Sequence, residues 1–308
     1  MGNFRRFAFL TTIATYLLIF IGGLVRVSGA GLGCPDWPKC FGRWIPPMNL
    51  YQLPANIDPS AFNFTLAWIE YFNRLVGMTI GILILITAIL AIKYYRHIKS
   101  IVYPSIAAAL LVAYQGWQGS QIVLSKLEPL IVSVHLVLAL IIVSLLIYVT
   151  QKAYYIEQGN NSVNGLFPRK IGIEVAILWG ATILQIVFGT QVRSAVENLQ
   201  KSHPLSPDST ILGMIGAVNY IHMILGVLVI GFTFHIAHII LKKSDEIPIL
   251  VKQSVYGMVI LMIAQLVIGF LLIAVGMPAL TQVFHLWMAS LFVGLNLVLY
   301  TAVRRTGD

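Results

Sequence analysis

This sequence is poor in charge. Only 10% of its 308 residues are Asp, Glu, Lys or Arg, while 58% are apolar, and the mean hydropathy is +0.86. A soluble domain carries about a quarter charged residues, so the composition excludes one and describes a polytopic membrane protein. Cysteine is scarcer still: Cys34 and Cys40 are the only two. No histidine or third cysteine stands near them, which argues against a zinc site. Apolar spans interrupted at their midplane, of the kind a transporter needs for alternating access, are also missing. Acidic residues number 11 against 20 basic ones, a net charge of +9. That excess invites a nucleic-acid partner, but its distribution answers the question. With the N-terminus in the cytoplasm, 13 Lys/Arg fall on that side and six on the other, with Arg74 inside a span. The pattern is the positive-inside bias of membrane proteins, and no nucleic acid is expected.

What is present is hydrophobic length. Apolar spans can be marked at 7–26, 64–92, 101–124, 129–150, 171–192, 212–241, 250–275 and 279–302, each near the 20 or so residues that cross a bilayer. The first resembles a signal peptide, with Arg5-Arg6 ahead of it and Ser28-Gly-Ala30 behind. It is longer than a usual signal core, and a later span repeats it, so it is expected to be retained. Five or so residues precede it, no transit segment is visible, and a bacterial plasma membrane is the expected home. Eight spans put both termini on one side, the cytoplasmic one, and the long loop 27–63 outside.

The spans repeat. Ile21-Gly-Gly-Leu-Val-Arg26 matches Phe188-Gly-Thr-Gln-Val-Arg193 at an offset of 167. Gln115 and Gly119 match Gln265 and Gly269, and Val134-His-Leu136 matches Phe284-His-Leu286, both at 150. Asn73 then falls opposite His222, at 149. The fold expected is all-α: eight transmembrane helices as two tandem four-helix bundles, residues 1–155 and 166–308, related by a pseudo-twofold axis along the membrane normal. In each half two helices present inward polar groups at one depth near the outer face, as bundles do when they hold metals or cofactors. His135 and His285 come about seven residues into their spans, and Asn73 and His222 about ten into longer ones.

His222 and His285 form the cleanest pair. Two neutral imidazoles on different helices suit the axial positions of a low-spin haem iron; the bland alternative is a pair of hydrogen-bonded core histidines. The equivalent pair in the first half is Asn73 with His135, and asparagine is a poor iron ligand. Trp68-Ile-Glu-Tyr-Phe-Asn-Arg74 carries Glu70, Asn73 and Arg74 on one face at i, i+3, i+4. Ionisable groups in a membrane span are functional candidates by default, with a plain i, i+4 ion pair as the alternative. The counterpart of Glu70 is Asn219, so only the first half has the carboxylate. Arg26 and Arg193 end the first helix of each half; they suit bidentate pairing with carboxylates such as haem propionates, or could simply anchor at the interface. His97, His203, His235 and His238 stand apart from this cluster. Cys34 and Cys40 flank five residues, two of them proline, in the outer loop, where a structural or a redox-active disulfide could form.

Taken together, Gly31-Leu-Gly-Cys-Pro-Asp-Trp-Pro-Lys-Cys40 after Gly23-Leu-Val-Arg26, Trp68-Ile-Glu-Tyr-Phe-Asn-Arg74, Gly189-Thr-Gln-Val-Arg193 and His135, His222 and His285 resemble the haem A synthase family over essentially the whole chain. The resemblance implies an eight-helix, two-repeat enzyme that oxidises the C8 methyl of haem O to a formyl group. It implies haem b on His222 and His285, haem O as substrate on the His135 and Asn73 side, an essential glutamate at Glu70 and a cysteine pair at Cys34 and Cys40. Haem O synthase, a farnesyltransferase, becomes an expected partner. So do an electron donor or thiol-redox partner at the outer face, and a second copy of the chain. The family pattern is usually Glu-x-x-His-Arg where this chain has Glu70-Tyr-Phe-Asn73-Arg74, and Met223 stands where an arginine often follows the histidine. A dihaem cytochrome that only passes electrons is the alternative, and in it Glu70 would be dispensable.

Overall fold

A computed structural model describes residues 2–158, 167–206, 208–242 and 247–305; residue 166, where the second expected unit begins, lies outside them. The helices are α1 (Gly2–Val27), α2 (Phe64–Tyr95), α3 (Lys99–Leu124), α4 (Pro129–Glu157), α5 (Arg169–Ser202), α6 (Asp208–Met214), α7 (Ala217–Leu241), α8 (Ile249–Ala274) and α9 (Ala279–Arg305). All but α6 are long and apolar enough to cross a membrane, and the chain is an all-α polytopic membrane protein. Local chemistry sets several starts. The Asn63 side chain accepts from Leu66 N–H at 3.1 Å ahead of α2, and Glu128 accepts from Ile131 N–H at 2.8 Å ahead of α4. Pro129 opens α4, where its missing N–H costs nothing.

Several boundaries differ from the hydropathy reading, the start of α1 at Gly2 and the end of α4 at Glu157 among them, and two of the differences bear on the site. Helix α5 runs to Ser202 instead of stopping near 192, because hydropathy marks the hydrocarbon layer while helical hydrogen bonding continues into the polar layer. The sixth span begins at Ala217 rather than 212: Gly216 has φ 76°, a left-handed value that ends the short α6 and restarts the chain as α7. His222 is therefore the sixth residue of α7, not about the tenth of a longer helix. His135 and His285 are each the seventh residue of α4 and α9, as expected.

Helix α1 packs on α2 and α4, and α3 packs on the same two, which closes a ring of four. Helices α5, α7, α8 and α9 close a second ring in the same order. So α2 faces α4, and α7 faces α9, across the middle of a ring. The rings meet where α9 lies on α1 and α4 and where α5 lies on α4. The buried apolar side chains Leu140, Ile186 and Val293 join α4, α5 and α9 there. A larger apolar core fills the second ring, with Leu178, Ile236, Phe292 and Leu299 among its members.

Hydrocarbon offers no water to a polar group, so each must bond internally. The hydroxyls of Thr12, Thr15, Ser105, Thr182 and Thr233 donate to the carbonyl four residues earlier at 2.7–2.8 Å. Across the ring junction Ser133 and Thr190 share a hydrogen bond of 2.7 Å. At the corresponding place on the other side, Gly23 packs against Val283, 3.4 Å from where its Cβ would be. Small residues bring helices together in membranes, where apolar attraction between helices is weak. Gly294 is the tightest case, since a Cβ there would fall 2.0 Å from Tyr16 Oη, whose hydroxyl donates to Ser290 O at 3.3 Å. Gly294→Ala is expected to cost about 1–3 kcal/mol by overpacking, lowering the thermal midpoint of the detergent-purified protein. Adding Tyr16→Phe should recover part of the loss, and an unchanged midpoint in Gly294→Ala would show that α1 and α9 are not so closely packed.

Candidate functional site

Three histidines sit in one local design. Gln115 of α3 donates its Nε2–H to the main-chain carbonyl of His135 on α4 at 2.8 Å. Gln265 of α8 does the same to His285 on α9 at 2.7 Å, and Gln185 of α5 to His222 on α7 at 2.9 Å. One turn beyond each glutamine is a glycine over which the imidazole lies. A Cβ on Gly119, Gly189 or Gly269 would stand 3.9, 3.1 or 3.6 Å from Cε1 of its histidine. The Nδ1 atom of all three rings is buried without a hydrogen-bond partner, and so is Oε1 of all three glutamines. The Gln115 and Gln265 repeat was visible in the sequence. Gln185 and Gly189 were missed, although they show the same Gln-x-x-x-Gly spacing.

The fourth position departs from this design. Asn73 lies on α2, the helix across the first ring from α4, and its Oδ1 is buried without a partner. At the offset of 167 the residue matching Gln185 is Leu18, so the glutamine and the histidine are absent together. Gly22, which matches Gly189, has nothing within 4 Å of its Cβ position.

Glu70 is engaged differently from a free carboxylic acid beside a cofactor. It is buried, at 4% exposure. One oxygen forms the i, i+4 ion pair with Arg74, and Oε2 accepts the main-chain N–H of Cys34 at 2.7 Å. Arg74 then reaches over the cysteine loop and donates from Nη1 to the carbonyls of Asp36 and Lys39, both at 2.9 Å. The loop is closed by the Cys34–Cys40 disulfide, whose two residues are 0% and 1% exposed. Asp36 caps the far side, accepting from the N–H groups of Phe41 at 2.6 Å and Gly42 at 2.8 Å. Gly33 makes the close approach to α2 possible, for a Cβ there would lie 2.3 Å from Leu66 O. The ion pair anticipated as the bland alternative is thus present, and it latches the cysteine loop onto the start of α2.

Arg26 and Arg193 come together through a residue the sequence reading had placed in a loop. Because α5 continues past 192, Glu197 lies one turn beyond Arg193 and pairs with it at 2.9 Å, with Arg26 at 3.9 Å. Arg26 also donates to Ser194 Oγ at 3.0 Å. Arg193 keeps a buried Nε with no partner.

Eight helices long and apolar enough to cross a membrane define an integral membrane protein of the all-α class. The family model described as cytochrome oxidase assembly protein (COX15-CtaA) matches residues 5–297. The chain belongs to that family. It is 31% identical over 185 residues to a protein named Heme A synthase from Shewanella oneidensis, covering 57% of this chain and 53% of that one. Heme A synthase from Geobacillus kaustophilus is 30% identical over 44% of this chain and 38% of its own length. The protein of that name from Alkalihalophilus pseudofirmus is 26% identical over 73% and 72%. The chain thus matches about half or less of the first two relatives' lengths.

The glycine seats give a graded prediction. Replacing a mid-helix glycine by alanine is worth up to about 1 kcal/mol in helix propensity, while forcing a buried contact costs about 1–3 kcal/mol. Gly119→Ala, at ordinary contact distance, is expected to leave thermal stability unchanged or slightly raised. Gly189→Ala must displace the His222 ring and should lower stability; equal midpoints for the two variants would show that the ring does not rest on Gly189.

Proposed function

We propose that this chain is an oxidoreductase that converts haem O to haem A by oxidising the C8 methyl to a formyl group. The observation that carries the proposal is the set of three identically built histidine seats beside a fourth that lacks its ligand, in a member of this family. Relatives named Heme A synthase support it. The scaffold we propose is two tandem four-helix units, 1–155 and 166–308, related by a pseudo-twofold axis along the membrane normal; the two rings of helix neighbours support it.

The residues of the second ring fit a haem b. His222 and His285 come from facing helices, each with an unpartnered buried Nδ1 and a ring cleared by glycine, and neutral imidazoles suit low-spin iron. The first ring fits the substrate haem O on His135, with Asn73 opposite and no nitrogen ligand there. When bound, haem b supplies a one-electron relay, and haem O supplies the methyl group and the iron beside it. Arg193, through its free Nε, and Arg26 are positioned to meet propionates; a guanidinium is well matched to a carboxylate. Glu70 handles a proton, or stabilises positive charge, beside the haem edge being oxidised, and with Arg74 it keeps the cysteine loop down over α2 to exclude water. Burial of the disulfide supports a holding role for Cys34 and Cys40.

The membrane is the bacterial plasma membrane, with both termini cytoplasmic and the cysteine loop outside. The partners are haem O, the farnesyltransferase that makes it, an electron donor or thiol-redox protein at the outer face, and a second copy of the chain.

Co-expression with a haem O-producing farnesyltransferase, followed by chromatography of extracted haems, tests the activity. Haem A should appear only when this chain is present; unmodified haem b alone would indicate an electron-transfer cytochrome. Glu70→Gln at equal protein level should lower haem A by about 100-fold, within the range for a positioned acid or base, and wild-type yield in that variant would remove Glu70 from the mechanism.

A further inference from the structure

We infer that Gln115, Gln185 and Gln265 are positioning residues that set the tautomer of the three ligand histidines. The inference rests on the haem-binding reading above. A main-chain carbonyl can only accept, so the hydrogen bonds from the three glutamines to the carbonyls of His135, His222 and His285 fix which end of each amide is nitrogen. The other end, Oε1, is then an acceptor held beside the same histidine, and it is buried with no partner in all three cases. Each histidine in turn has a buried, unpartnered Nδ1. A polar atom buried without a partner is destabilising. These six atoms are one acceptor and one potential donor at each of the three histidines, and a hydrogen bond between them would satisfy both.

Metal-ligating histidines donate their second ring N–H to a carbonyl or carboxylate, which fixes tautomer and ring orientation. A bond from Nδ1–H to the glutamine Oε1 leaves the Nε2 lone pair for iron. The fourth position serves as an internal control, for where Asn73 replaces the histidine, Leu18 replaces the glutamine. A glutamine needed only to brace two helices would have no reason to vanish with the imidazole.

The test uses the full-length, haem-loaded protein with Gln265→Leu and Gln265→Glu, read by low-spin electron paramagnetic resonance, haem retention and the midpoint potential of haem b. Gln265→Leu should weaken haem retention by about 10–100-fold, shift the low-spin g values and raise the potential, because the imidazole becomes a poorer donor. Gln265→Glu offers a stronger acceptor and should retain haem while lowering the potential. Shifts of opposite sign are expected of a tautomer-setting residue and not of a helix brace. Wild-type g values and potential in both variants at equal haem occupancy would overturn the inference. If Gln265→Leu does not accumulate, Gln265→Glu decides alone: a lowered potential supports the assignment and an unchanged one overturns it. A wild-type protein without any low-spin bis-histidine signal would instead overturn the haem reading itself, and the glutamine assignment with it.

Discussion

Hydrocarbon cannot hydrogen-bond, and every polar group in this chain is arranged around that fact. Most are satisfied locally, as where threonine and serine hydroxyls return to the carbonyl one turn earlier. Others are satisfied between separate elements. Glu70 and Arg74 neutralise each other and spend their remaining valences on the backbone of the cysteine loop. The loop is therefore fixed over α2 by the same pair that would otherwise be a liability in the membrane. Its carbonyls gain donors, and the ion pair gains cover from lipid and water.

The same constraint makes the remaining unpartnered atoms informative. Histidine Nδ1 and glutamine Oε1 are left open together in three matching places. The pattern is a property of the duplicated scaffold, in which the helix before each histidine carries glutamine and then glycine one turn on. At the repeat offsets Leu18 and Asn73 stand where the other half has Gln185 and His222. The two rings thus share a frame and differ where chemistry would differ: the first has Glu70 and no second imidazole, and the second has two imidazoles and Asn219.

Much of this was legible in the chain. Eight spans, their repeat and the four inward polar positions follow from hydropathy and self-similarity, since a membrane helix must be long and apolar and a duplicated helix keeps its spacing. The expected starts of α2, α4 and α9 agree with the structure because Asn63, Glu128 and the apolar runs after them act locally. The limits of α5 and α7 were not legible. The first depends on a helix outlasting the hydrocarbon, and the second on the backbone conformation of Gly216. Glu197 was hidden for that reason, and with it the meeting of Arg26 and Arg193.

By itself the sequence determined the class of protein, the eight spans and which side chains are out of place in a membrane, because these depend on composition and on residues near one another in the chain. Only the tertiary structure decided what those side chains touch. Glu70 and Cys34 are 36 residues apart, and Gln185 and His222 are 37 apart. Pairs so distant are set by how helices and loop pack, which no local spacing encodes. The carboxylate that marks the first half is also the latch of the cysteine loop, and that second part became visible only when the loop was seen lying on it.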